Sequence, residues 1–148
     1  MRHFYLYLIN EEFASHYFGR ELKLFQLFHE YLWTSRDEHR YATIKRQVDY
    51  VSKKIPVVYL DELIKMYLEN HDGYQHVSPI HKYFLSNNRG SATLMLKKQN
   101  IEITATGSFE AETVFFEILR KFNCCFLAMD FKNEQYGWLN PIKERKFV

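Results

Sequence analysis

Residues 101–130 read IEITATGSFEAETVFFEILRKFNCCFLAMD, and their pattern decides the fold. Ile101, Ile103 and Ala105 alternate with Glu102, Thr104 and Thr106, the period of two that marks a strand with one face on a core. Gly107-Ser108 ends that run, and the period lengthens to that of a helix over about 109–122. Its apolar stripe is Ala111, Val114, Phe115, Ile118, Leu119 and Phe122. Residues 124–129 are then apolar throughout, as in a strand covered on both faces. Strand, helix and strand in this order predict a right-handed βαβ unit and a mixed sheet.

Working outward, Ala92, Leu94 and Leu96 alternate with Thr93 and Lys97, which makes residues 92–105 a β-hairpin around Lys98, Gln99 and Asn100. Downstream, Asn133-Glu134-Gln135 turns into a last short strand over 136–139. At the other end, Phe4, Leu6 and Leu8 alternate with His3, Tyr5 and Tyr7, so the chain opens on a strand over 2–9. Asn10 is placed to cap a helix over 11–18, with Glu11 and Glu12 in its first turn and Gly19 at its end. Such a helix is about two turns long, so packing must hold it.

Further helices are expected over 21–34, with Leu24, Leu27, Phe28 and Tyr31 on one stripe, and over about 37–52, where Tyr41, Ile44, Val48 and Val51 share an arc. Tyr50 falls about 130° from the centre of that arc, which predicts an exposed ring. After Ile55-Pro56 a helical period restarts at Leu60 and runs to Asn70. Residues 71–90 carry too many turn formers to assign. The expectation is one α/β (α+β) domain over 1–148: a mixed β-sheet with a C-terminal hairpin and βαβ unit, packed with N-terminal helices. A chain of 148 residues suits a single core.

Composition narrows the function. Twenty Lys and Arg against 18 Asp and Glu leave a net charge of +2, too weak a field to predict a nucleic-acid or membrane partner. Lys143, Arg145 and Lys146, interrupted by Glu144, read as a solvated tail. The short apolar run after Arg2 and His3 has no small-residue cleavage site, so no signal peptide is expected, and no stretch approaches the ~20 apolar residues of a membrane helix. Cys124 and Cys125 are neighbours in an apolar run, which favours reduced, buried thiols and a cytoplasmic location.

Catalytic patterns are sparse. None of the five glycines falls in a phosphate-binding motif. His71, His76 and His81 form the one local histidine cluster, but their five-residue spacing, with only Asp72 close by, favours an ordinary loop; no metal and no cofactor are expected. Asp130 reads as an acid ending a strand in a turn. An enzyme built on Asp130 or a histidine, or a DNA-binding regulator, remain alternatives to a docking protein.

Aromatic content is the stronger lead: 13 Phe, 11 Tyr and 2 Trp make 18% of the chain, more than one core readily holds. Phe13 and Tyr17 stand at i and i+4 on the first helix, and Gln47 and Tyr50 at i and i+3 off the core face of the third. If those helices pack side by side, the four residues form one patch of the composition that interface centres favour. The competing reading has Phe13 inside and Tyr17 closing the core edge. Phe109 and Phe116, off the stripe of the later helix, offer a second contact or support for a loop.

The segments Glu11-Glu12-Phe13-Ala14-Ser15-His16-Tyr17-Phe18-Gly19-Arg20-Glu21, Ala111-Glu112-Thr113-Val114-Phe115-Phe116-Glu117-Ile118-Leu119-Arg120-Lys121, Cys125-Phe126-Leu127-Ala128-Met129-Asp130-Phe131 and Tyr136-Gly137-Trp138-Leu139-Asn140-Pro141, followed by Lys143-Glu144-Arg145, resemble the SirA family of sporulation inhibitors of replication. The resemblance is looser over about 60–90. It implies a non-enzymatic protein that binds the N-terminal domain of the replication initiator DnaA and stops new initiation at sporulation. It further implies that Phe13 and Tyr17, with Gln47 and Tyr50, carry the contact, in a monomer that pairs with its partner as a heterodimer. Pro141 lies in the matching C-terminal motif, as a contact or as part of the turn.

Overall fold

The computed structural model describes residues 1–140, so the readings of Pro141 and of Lys143, Arg145 and Lys146 lie outside the described residues. Its strands are β1 (Arg2–Ile9), β2 (Ser52–Lys53), β3 (Tyr74–Val77), β4 (Ile80–Phe84), β5 (Gly90–Leu96), β6 (Ile101–Gly107), β7 (Phe126–Asp130) and β8 (Gln135–Trp138). Its α-helices are α1 (Glu11–His16), α2 (Glu21–Trp33), α3 (Tyr41–Val51), α4 (Val57–Leu68) and α5 (Glu110–Phe122). The strands form one sheet in the order β3-β4-β5-β6-β1-β7-β8, with β2 paired to the end of β1.

Every pairing in this sheet is antiparallel, which corrects the expected mixed sheet. The β6-α5-β7 crossover exists, and its two strands run parallel, but β1 lies between them and is hydrogen-bonded to both. The βαβ unit is therefore split by the first strand of the chain. Periodicity within a segment reports which face is buried, not which strand lies beside it.

β1 is covered on both faces. Phe4 meets Phe116 of α5 edge-on, ring centroids 5.3 Å apart, whereas Tyr7 stacks on Phe28 of α2 at 4.1 Å. Tyr7, read as outward-facing, is thus buried, and Asn100 Nδ2 donates to its hydroxyl at 3.1 Å. Helices α4 and α5 cover the face carrying Leu94 and Ile103; α2 and α3 cover the opposite face at the β1-β7 end. That second face is left half-open along β5 and β6, which is why their apolar residues alternate with Thr93, Thr104 and Glu102.

Helix α1 ends at His16 and α4 starts at Val57, and two further boundary shifts have local causes. Helix α3 starts at Tyr41 rather than near 37, because Ser35 Oγ accepts from the Asp37 N–H at 3.2 Å and Glu38 Oε2 from the Ser35 N–H at 3.3 Å, a turn that competes with helix. Strand β7 starts at Phe126, since Asn123 Oδ1 takes the Cys125 N–H in a turn; Cys124 is consequently exposed, and only Cys125 is buried as expected. Burial and the neighbouring Cys124 thiol push Cys125 up to about 12, which leaves it unreactive. Asp130 is the turn acid anticipated, its carboxylate accepting from the backbone and side-chain amides of Asn133.

Phe28 is fully buried beneath Tyr7, so Phe28→Ala should destabilise the fold by about 3–5 kcal/mol in equilibrium urea unfolding. A loss below about 1 kcal/mol would show that the Tyr7–Phe28 stack does not organise the core.

Candidate docking site

The geometry of α1 is fixed from its first residue. Asn10 Oδ1 accepts from the Glu12 N–H at 3.2 Å, and the Asn10 N–H donates to the Val51 carbonyl at 2.8 Å. The first contact caps α1 as predicted; the second ties its start to the end of α3. Ala14, the one buried residue of α1, turns the inner side of the helix to the core. Phe13 then lies 5.0 Å from Tyr50, ring to ring, at 54°. The first and third helices therefore meet at this ring contact and at the Asn10–Val51 bond, rather than side by side along their lengths.

Tyr50 is 71% exposed and Gln47 is exposed one turn before it. Phe13 and Tyr17 are half-buried against the core, and His16 meets Tyr17 edge-on at 5.0 Å. Inward packing and exposed face thus each describe part of the same pair. Gly19, at φ +84°, reverses the chain after α1 in a region that favours glycine. Its N–H and the Trp138 indole both donate to Glu21 Oε2 at 2.9 Å. Burial alone would raise the Glu21 carboxyl, but these hydrogen bonds outweigh it and hold the group below the usual carboxylate range. Glu21 thereby anchors the α1–α2 turn to β8.

The other candidate rings are engaged elsewhere. Phe109 is exposed but lies under the Arg2 guanidinium at 4.5 Å, and Phe116 packs on Phe4. A cluster not foreseen from the sequence joins Phe25, His29 and Trp33 of α2 to Tyr5, Phe131 and Tyr136, with Trp33 58% exposed. Spacing of Phe25, His29 and Trp33 at i, i+4 and i+8 was its available signal.

Residues 71–90, unassigned from sequence, form the hairpin β3-β4 and a single 3-10 turn. His71 stands apart against Tyr83, whereas His76 and His81 converge on Asp61 of α4, a residue the sequence reading did not connect to them. Burial raises the Asp61 carboxyl, but hydrogen bonds from His76, Ser78 and His81 together hold it below its ordinary value. His81 is lowered, chiefly by burial. The expected loop is thus an ordered strand pair with an internal polar cluster.

Fold and surface together define a class: a single α/β domain with one antiparallel sheet, beside which a short helix brings an aromatic ring against a longer one. No helix of the described residues is long and apolar enough to cross a membrane. The chain belongs to the SirA family: the family model described as sporulation inhibitor of replication protein SirA matches residues 2–143. A relative from Bacillus subtilis (strain 168), which carries that same description, is 50% identical over 147 residues, 99% of each chain.

Removing Phe13 and Tyr50 singly and together should give a coupling of about 0.5–1.5 kcal/mol in a double-mutant cycle of unfolding. Gln47→Ala should leave stability within about 0.5 kcal/mol. Additive effects of Phe13→Ala and Tyr50→Ala would show that the two rings do not support each other in solution.

Proposed function

We propose that this chain inhibits initiation of chromosome replication during sporulation by binding the N-terminal domain of DnaA through Phe13, Tyr17, Gln47 and Tyr50. The observation that carries the reading is the packing of Phe13 against the exposed Tyr50, which turns two separate helices into one aromatic face. Membership of the family supports the inhibitory role, since the relative's own description names replication as the process inhibited. The reaction requires no covalent chemistry. A bound copy covers a surface that the initiator needs for assembly or recruitment, and so withdraws it from the origin.

The face suits a small cytoplasmic interface in which a few rings dominate. Tyr50 and Gln47 present contact groups without being needed by the core, while Phe13 and Tyr17 stiffen the surface from below. A modest net charge of +2 matches capture of a protein rather than of DNA.

Titration of the purified chain with the DnaA N-terminal domain should show one-to-one binding. Tyr17→Ala and Tyr50→Ala should each weaken it more than tenfold, the effect of losing a hot-spot ring worth at least about 2 kcal/mol. Absence of binding by the native chain, or unchanged affinity in folded variants, would overturn the proposal.

A further inference from the structure

One cross-strand row runs through the sheet from Phe4 to Ile103, Leu94, His81 and His76, each residue directly opposite the next. Its first three members meet the apolar undersides of α4 and α5, as a core row should. Its last two are imidazoles stacked at 4.4 Å, and the residue of α4 above them is an aspartate. His81 is 0% exposed and Asp61 8%, so a polar trio has been placed where packing alone asks for aliphatic side chains.

We infer that Asp61, His76 and His81 form a binding site for a divalent transition-metal ion, of which zinc fits best. His76 Nε2 and His81 Nε2 lie 3.1 and 2.8 Å from Asp61 Oδ1, and the three ligand atoms all fall within 4.8 Å of one another. Tetrahedral zinc with bonds of about 2.0–2.1 Å holds neighbouring ligand atoms about 3.3 Å apart, so small side-chain movements convert this cluster into three ligands. Two imidazoles and one carboxylate favour zinc over calcium or magnesium, which want more oxygen ligands. A water completes the fourth position.

The surroundings are those of a supported site. Tyr74 Oη lies 2.7 Å from His81 Nδ1. When Nε2 turns to the metal, the imidazole proton resides on Nδ1 and the phenol oxygen accepts it, an outer contact that orients a ligating histidine. His76 is only half-buried and gives the ion a way in. The ligands join an edge hairpin to helix α4, so the metal clamps β3, the outermost strand, onto the body of the sheet.

The test uses the full chain stripped of metal by a chelator. Calorimetric titration with Zn2+ should give one ion per chain and a higher unfolding temperature. Co2+ in its place should give the strong visible bands of a tetrahedral nitrogen–oxygen site without thiolate charge-transfer absorption, which separates this cluster from Cys124 and Cys125. His76→Gln, a change at a half-exposed edge position, should weaken binding more than tenfold. Failure of the native chain to bind stoichiometrically, a thiolate spectrum, or unchanged affinity in His76→Gln would overturn the inference.

Discussion

Strand β1 is the first element of the chain and a central strand of its sheet, and the rest of the structure depends on that placement. Leu6, Tyr7, Leu8 and Ile9 are all buried, each contributing on the order of 1.5–3 kcal/mol if fully removed from water. Apart from the two-residue β2 at its end, the neighbours of β1 are remote in sequence: β6 begins some ninety residues later and β7 later still. The sheet therefore closes only when the C-terminal half arrives, a topology of high contact order that couples both ends of the chain into one cooperative unit. The end of β1 also sets the next element. Ile9 N–H bonds to the Cys125 carbonyl and Asn10 N–H to that of Val51, so the start of α1 is held by the turn before β7 and by the end of α3 at once.

Much of this was legible where burial is one-sided. The hairpin β5-β6 and helix α5 follow their patterns because one face meets helices and the other water, and the Asn10 cap and the exposure of Tyr50 follow from local chemistry and angle alone. The order of strands was not legible, since β1 inserts between two segments that are near each other in sequence. Hairpin β3-β4 was hidden for a sharper reason: its polarity is inverted. His76 and His81 point under α4 while Val77 is 77% exposed, so a search for apolar alternation finds nothing to follow. Asp61 was invisible as a partner because the contact is tertiary, between a helix and a strand edge.

The aromatic surplus divides between two surfaces, and composition alone does not rank them. The cluster around Trp33 and Phe131 is held by stacking between α2 and the β7-β8 turn, with Phe25 and Phe131 buried beneath it. Its rings finish the edge of a core. Phe13 and Tyr50 differ because the backbone bond between Asn10 and Val51 brings them together, and because the outer ring of the pair, Tyr50, adds little to the interior.

A helix of six residues does not sustain itself in water. The shape of the α1 surface is therefore imposed by β1, by α3 and by Glu21, which fastens the following turn to Trp138. That origin has a functional consequence. A face whose backbone is already fixed by the core would lose little further conformational freedom on docking, so under the proposed function a small number of exposed groups suffices for affinity. The same division separates two parts of the sequence: Asn10 and Glu21 keep the face in place, and Gln47 and Tyr50 stand exposed on it, as the proposed contact requires.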